Sequence, residues 1–149
     1  MRRNLIKCIL GCLLLSTPAM GGAFLGYSHT KHIFSSHLND AHPKFGYESD
    51  HLGFTAYINS FYKESVAVYW HDAKQLSSKV DLTIKAGVTT GYKKELYYNG
   101  RLRRLRSPFL TDGVMFSVVP GVEYNFDQGA IMYEQVGEAI SFGYKINLN

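Results

Sequence analysis

The alternation of apolar and polar residues in KVDLTIKAGVT limits the possible folds of this chain more than any other feature. The apolar positions of this segment are Val80, Leu82, Ile84, Ala86 and Val88. The polar or small positions between them are Asp81, Thr83, Lys85, Gly87 and Thr89. Side chains of a strand point to opposite faces in turn, so a period of two predicts a strand with one apolar face. The same pattern recurs in VMFSVVPGVEYNF and ISFGYKINL, which predicts an all-β chain.

Extending this pattern along the chain predicts eight strands. They are expected near residues 27–37, 44–48, 54–60, 65–71, 79–91, 114–126, 129–135 and 139–148. Charged residues such as Asp81, Lys85, Glu123 and Lys145 fall on the faces opposite the apolar ones. An even strand number with apolar faces outward and polar faces inward is typical of an outer-membrane barrel. We therefore expect an eight-stranded antiparallel transmembrane β-barrel, with a soluble exported lipocalin-like barrel as the alternative.

The first residues have the layout of a cleaved signal peptide. MRRN is basic, LIKCILGCLLLS is a short apolar run, and TPAMGGAF supplies small residues for cleavage. We predict cleavage near Gly21 or Ala23, which gives a signal peptide at 1–22 and a single barrel domain at 23–149. Cleavage removes Cys8 and Cys12, the two cysteines of the chain. The exported domain is then expected to have neither a disulfide nor a thiolate metal site.

Cleavage also changes the charge of the chain. Removing Arg2, Arg3 and Lys7 from the 16 basic residues leaves 13, against 12 acidic residues. This near balance argues against a nucleic-acid partner. All remaining arginines lie in the segment RLRRLR, and they are Arg101, Arg103, Arg104 and Arg106.

The arginine segment falls in the longest predicted loop, at residues 92–113. With both termini periplasmic, this loop would lie outside the cell together with 38–43, 61–64 and 136–138. Guanidinium groups bind phosphates in a bidentate manner, so the segment is interpreted as a site for lipid phosphates. A solvated loop without a partner is the open alternative.

Three histidines occur close together in GYSHTKHIFSSHLND. On a strand, His29 and His32 lie on opposite faces, as do His32 and His37, so no metal site is predicted. A neutral imidazole can take a proton from a hydroxyl group during acyl transfer. His32 and Ser60, which follows Asn59, are expected at the same rim of the barrel. They are candidates for such chemistry, and hydrogen-bonded interior groups without a reaction are the alternative.

Aromatic residues near the strand ends suggest membrane-interface girdles. We expect Tyr92, Tyr97, Tyr98 and Phe109 in the outer girdle. Tyr69 and Trp70 are expected in the inner girdle.

The order of HTKH, GFTAYINSFYKESVAVYW and IKAGVTTGYKKE resembles that of the lipid A palmitoyltransferase family, which consists of eight-stranded outer-membrane barrels. The resemblance places His32 at the family's catalytic histidine, and Asn59 and Ser60 at its Asp-Ser pair. It implies transfer of an acyl chain from a phospholipid to lipid A, without metal or cofactor. The chain departs from the family pattern in having Asn59 for the aspartate and Lys31 for the tryptophan before the histidine. It also has little room for the family's preceding amphipathic helix.

Three hypotheses follow for the function. The first is the acyltransferase, with His32 as base, Ser60 and Asn59 as hydrogen-bonding partners and the arginines holding lipid A phosphates. The second is a non-enzymatic outer-membrane barrel with structural or surface-interaction function, whose lumen is plugged by charges. The third is a soluble exported barrel that binds a small apolar ligand. The membrane hypotheses imply lipopolysaccharide and phospholipid as partners and a monomeric barrel.

Overall fold

The computed structural model describes residues 22–33, 38–92, 95–98, 101–104, 110–111, 113–137 and 139–148. Its strands are β1 Gly22–His32, β2 Ala41–Glu48, β3 Leu52–Ile58, β4 Glu64–Gln75, β5 Val80–Tyr92, β6 Glu95–Tyr98, β7 Arg101–Arg104, β8 Leu110–Thr111, β9 Gly113–Phe126, β10 Gly129–Val136 and β11 Ala139–Leu148. Within these ranges no helix is long and apolar enough to cross a membrane. The predicted signal peptide, apart from Gly22, lies outside the described residues.

Eight of the strands close into an antiparallel barrel. The strands β1 to β5 pair in sequence, β9 pairs with β5, and β10 and β11 follow. The pairing of β11 with β1 closes the ring. The remaining strands belong to the connection between β5 and β9, where β6 and β7 form a separate hairpin and β8 pairs with β9. The predicted eight-stranded antiparallel barrel is confirmed.

The first and fourth strands differ most from their predicted boundaries. The first strand was expected at 27–37 but spans Gly22–His32, because β11 offers partners down to the Ala23–Leu148 pair. The fourth strand was expected to end at residue 71 but continues to Gln75, paired with β5 as far as Asp81. Both extensions depend on ladder partners that are distant in sequence, which a local pattern does not reveal.

The barrel has the inverted polarity that the alternation predicted. Large apolar side chains are exposed on the outside, including Val114, Phe116, Val118, Val122, Tyr124 and Phe126 on β9 and Phe142, Tyr144, Ile146 and Leu148 on β11. Buried polar side chains face the lumen, including Ser28, Thr30, His42, Thr55, Ser65, Thr83, Thr89, Glu123, Glu134 and Ser141. An apolar exterior around a polar interior suits a barrel whose solvent is lipid.

The barrel has two distinct ends. One end, here called the terminal end, contains the start of β1 at Gly22 and the end of β11 at Leu148, which is paired with Ala23. At the opposite end, here called the loop end, β1 ends at His32 and β3 ends at Ile58. The loop end also carries the connection between β5 and β9, as the sequence predicted for the long arginine loop.

Two aromatic residues assigned to the girdles lie elsewhere. Tyr69 is buried in the lumen, where its ring packs on Gly53, because the inward phase of β4 falls on odd residue numbers. Tyr92 lies against Phe61 after a bulge in the β5–β9 ladder, for which Gly91 adopts a positive φ of 87°. Trp70 does face outward, with 44% of its surface exposed. The positions predicted at Tyr97, Tyr98 and Phe109 concern side chains outside the described part.

Candidate functional site in the lumen and at the loop end

Lys85 occupies the middle of the lumen and is surrounded by carboxylates. Its Nζ lies 2.8 Å from Glu134 Oε1, 3.5 Å from Glu123 Oε1 and 3.6 Å from Glu48 Oε1. These carboxylates come from β10, β9 and β2. The single lysine on β5 therefore connects strands on different sides of the barrel. An inward lysine is expected to be held in this way, since a buried ammonium group is costly unless it is paired.

Two further lysines complete the lumenal ion network. Lys145 Nζ lies 2.9 Å from Glu48 Oε2 and 2.9 Å from Glu123 Oε2. Lys44 Nζ lies 3.6 Å from Glu134 Oε2. The network is defined here as Lys44, Lys85, Lys145, Glu48, Glu123 and Glu134. Three positive and three negative groups balance, so the lumen carries no net charge at this level.

Neutral groups extend the network on the β3–β4 side. The Tyr69 hydroxyl donates to Glu48 Oε1 at 2.9 Å and lies 3.0 Å from Thr55 Oγ1. Because the single Tyr69 proton points to Glu48, Thr55 is the donor of the second bond. Asp81, which was predicted on the same face as Lys85, accepts a hydrogen bond from Asn125 Nδ2 at 2.6 Å. The middle of the lumen is therefore filled by paired polar groups.

At the loop end, Asn59 organises the turn between β3 and β4. Its Nδ2 donates to Ser65 Oγ at 2.9 Å and to the Gly91 carbonyl at 3.2 Å. Its Oδ1 accepts from the backbone N–H groups of Phe61 at 2.8 Å and Lys63 at 3.0 Å. A side-chain amide has two donor hydrogens and two acceptor positions, so these bonds use its full capacity. Asn59 is completely buried, which makes it a structural residue of this turn.

The structure places His32 and Ser60 at the same end of the barrel, as predicted. His32 lies on the inward phase of β1, and its Nε2 is buried without a hydrogen-bond partner in the described chain. His29 falls on the exposed face, so the predicted opposition of these two histidines is confirmed, while His37 lies outside the described residues. The Ser60 carbonyl accepts from the Asn39 N–H at 2.8 Å. No hydrogen bond in the described part joins His32 to Ser60 or to Asn59.

His42 is a candidate that the sequence reasoning missed. It is buried, and its Nδ1 lies 2.7 Å from the carbonyl oxygen of Ile58. Since a carbonyl only accepts, Nδ1 carries the hydrogen, and Nε2 of the neutral ring is the basic nitrogen. Ser28, the register partner of His42, has a buried Oγ without a partner among the described residues. His42 was missed because the second strand was expected to begin at residue 44. His42 lies two residues before Lys44, so on a strand that includes both residues it shares the inward face of Lys44.

The ladder between β9 and β10 is incomplete toward the loop end. It runs from the Gly129–Phe126 pair to the Glu134–Gly121 pair and stops there, although both strands continue. The next position on β9 is Pro120, which has no N–H to donate. We call this unpaired boundary the upper seam. Inward positions on its two sides carry Met115, Ser117 and Val119 on β9 and Val136 on β10.

The arginine segment lies partly in the described chain. Arg101, Arg103 and Arg104 belong to β7, which pairs with β6 in a hairpin between β5 and β9, and Arg106 lies outside the described residues. This hairpin is therefore at the loop end, together with His32 and the upper seam. Within the described ranges, no group of three or more His, Cys, Asp or Glu side chains has the arrangement of a metal site.

Comparisons with known proteins support the fold. No family model matches the chain, and no curated protein matches its sequence. A solved structure titled "De novo design of transmembrane beta-barrels" is similar, with a TM-score of 0.50 and 11% sequence identity. The similarity covers 89% of this chain and 98% of the designed chain. At this identity it shows the fold alone, which is that of a transmembrane β-barrel.

Proposed function

We propose that the chain is an outer-membrane enzyme that transfers an acyl chain from a phospholipid to lipid A. The observation that carries the proposal is the upper seam, where the ladder between β9 and β10 is missing beside the loop-end half of the lumen. In this proposal the donor lipid enters there. An acyl chain passing between β9 and β10 reaches a lumen wall that includes Met115, Val119 and Val136. The lumenal ion network beneath this region acts as a floor, because a buried charge layer is a poor solvent for hydrocarbon.

His32 supplies the base in this proposal. Its Nε2 takes the proton of the acceptor hydroxyl while the hydroxyl oxygen attacks the ester carbonyl of the donor phospholipid. Collapse of the tetrahedral intermediate breaks the ester bond, and the departing alcohol takes the proton back from His32. Ser60 donates a hydrogen bond to the oxyanion. Asn59 acts as a positioning residue, because its turn presents Ser60.

The arginine segment holds the acceptor in this proposal. Arg101, Arg103, Arg104 and Arg106 form the strongest concentration of positive charge in the predicted exported domain. Lipid A phosphates would lie at the level of the loop end, where bidentate guanidinium contacts are available.

Mass spectrometry of lipid A from cells with and without the protein tests the proposal. The expected result is a gain in mass of one acyl chain, lost in His32→Ala. Unchanged lipid A in cells that make the folded protein contradicts the transferase.

A disulfide across the upper seam tests the entry route. The cysteines of the variant Val119→Cys with Val136→Cys would lie opposite each other if the ladder continued. Their disulfide would close the seam. The oxidised variant is therefore expected to lose acyl transfer and to regain it on reduction. The matched control is Ile131→Cys with Tyr144→Cys, a pair in the complete β10–β11 ladder. Full activity of the oxidised seam variant would show that lipid does not enter there.

A non-enzymatic surface-interaction barrel is the second candidate. The observation that favours it is the lumenal ion network, which fills the middle of the lumen with six charged side chains from five strands. Such a barrel anchors its loops in the membrane without reacting with lipid. Unchanged lipid A, combined with heat-modifiable gel mobility in the outer-membrane fraction, is the result expected for this function.

A further inference from the structure

Ser28 and His42 are two reactive side chains that the proposed acyl transfer does not use. They are register partners on β1 and β2, and both are buried on the lumenal face. Residues directly opposite each other on antiparallel strands have Cβ atoms about 5 Å apart. A rotation of the serine side chain can therefore bring its hydroxyl group to the imidazole ring.

The imidazole ring of His42 is oriented for use as a base. Its Nδ1 donates to the Ile58 carbonyl at 2.7 Å, and this bond fixes both the ring and its tautomer. The lone pair of the neutral ring is then on Nε2, the nitrogen that can accept a proton. A serine beside a histidine that a third group orients is the arrangement that activates a hydroxyl nucleophile.

The hydroxyl group of Ser28 has no competing partner. Its Oγ is buried and makes no hydrogen bond within the described chain. Most buried polar side chains are hydrogen-bonded, and an exception can mark a catalytic group. The neighbouring inward positions are Gly143 on β11 and Gly26 on β1, so neither position places a side chain over the hydroxyl.

We propose that Ser28 and His42 form a catalytic site that hydrolyses small carboxylic esters and is separate from the proposed acyl transfer. Ser28 Oγ attacks the carbonyl carbon of the ester while its proton passes to His42 Nε2. The bond between the carbonyl carbon and the alcohol oxygen breaks, and the alcohol leaves with the proton from His42. Water then attacks the acyl-serine, with His42 taking and returning the proton, and the acid is released.

The level of the pair in the lumen indicates the kind of ester. The next inward positions toward the terminal end are Gly26 and Lys44, which are register partners, so the pair lies beside the lumenal ion network on its loop-end side. Positive charge at this level, from Lys44, stabilises the oxyanion of the attacked ester. Charged groups are poor neighbours for a long hydrocarbon chain, so we expect esters of short acids such as acetate.

The experiment measures labelling of the folded full barrel in detergent micelles by diisopropyl fluorophosphate, a small reagent that phosphorylates activated serines. Intact mass and peptide mapping are expected to show one adduct per barrel, on Ser28. Hydrolysis of 4-nitrophenyl acetate is measured on the same samples.

The deciding variant is His42→Asn. The asparagine Nδ2 can still donate to the Ile58 carbonyl, but the side chain has no basic nitrogen in place of Nε2. Labelling and hydrolysis should both slow by about 100-fold or more. Ser28→Ala should lose the adduct. Ser141→Ala is the matched control and should leave both rates unchanged, because Ser141 is also buried but has Thr30 and Glu134 as register partners.

Three results would overturn the proposal. One is the absence of an adduct on Ser28 in a barrel whose heat-modifiable gel mobility shows that it is folded. Another is an adduct on Ser60 in its place. The third is a wild-type rate of labelling in His42→Asn, which would leave His42 as a structural residue. Acyl transfer to lipid A is a separate readout that should persist in Ser28→Ala, so the two activities can fail independently.

Discussion

The middle of the lumen and the loop end satisfy their polar groups in different ways. In the middle, Lys85 and Lys145 meet carboxylates from three strands, and the neighbouring Tyr69 hydroxyl is also bonded. Toward the loop end, Ser28 Oγ and His32 Nε2 are buried without partners in the described chain, and the upper seam lacks ladder bonds. Paired buried groups stabilise one structure, whereas incomplete pairing is concentrated where binding and reaction occur. The paired groups in the middle of the lumen stabilise the barrel, and the proposed function places its reaction at the loop end, where pairing is incomplete.

The largest effect is expected when the ion network loses its central cation. Lys85→Met leaves three carboxylates close together with two cations, Lys44 and Lys145, to balance them. The free energy of unfolding should fall by about 3–5 kcal/mol, the usual cost of removing one partner of a buried ion pair. Urea unfolding in lipid vesicles measures this change.

The matched control for Lys85 is Lys74→Met. Lys74 is exposed near the end of β4 and has no ion pair among the described residues. A loss in Lys74→Met equal to that in Lys85→Met would show that the network has no special role in stability.

A charge on the lipid-facing wall should have the next largest effect. Val122→Lys places an ammonium on the outer face of β9, which should lower the free energy of unfolding by about 2–4 kcal/mol if Val122 lies near the bilayer midplane. Asp72→Lys, on the outer face of β4 beyond Trp70, is the control and should change it by less than about 1 kcal/mol. The same unfolding assay in vesicles and in a soluble buffer separates a membrane barrel from a soluble one. Equal tolerance of both variants would contradict a lipid-facing wall.

Much of the barrel could be predicted from the sequence, because its strands carry a strict period of two. The inward positions of Asp81, Lys85, Glu123 and Lys145 follow from that alternation alone. The alternation does not predict the partners of these side chains. Lys85 and Glu134, for example, are 49 residues apart and come together only in the folded barrel. Tyr92 was misassigned for a related reason, because a bulge at Gly91 shifts the phase of one strand.

The candidate site was less accessible to sequence reasoning. The placement of His32 and Ser60 at the same end of the barrel follows from strand order and was predicted. The four hydrogen bonds of Asn59 depend on a turn geometry that the letters NSF do not specify. The upper seam exists because the β9–β10 ladder stops before the two strands end. In the sequence, Pro120 was the one residue that indicated an interrupted ladder.

An aspartate at position 59, as in the family that the sequence resembles, separates the two interpretations of Asn59. Asn59→Asp keeps the acceptor bonds from Phe61 and Lys63 but cannot donate to Ser65 or Gly91. The free energy of unfolding should fall by about 1–3 kcal/mol, as expected when buried partners are left unsatisfied. Acyl transfer should not rise. A stable Asn59→Asp variant with higher transfer would assign a catalytic role to this position and contradict the structural one.

The smallest change tests whether polar groups near the loop end contribute to stability. Ser28→Ala removes a hydroxyl that has no partner in the described chain, so the free energy of unfolding should change by less than about 0.5 kcal/mol. Ser65→Ala is the matched control, because it removes the acceptor of the 2.9 Å bond from Asn59 and should cost about 1 kcal/mol or more. Urea unfolding of the two variants side by side gives the comparison. If Ser28→Ala lost as much as Ser65→Ala, this part of the lumen would be as fully paired as the ion network, and the division between a stable middle and a reactive end would fail.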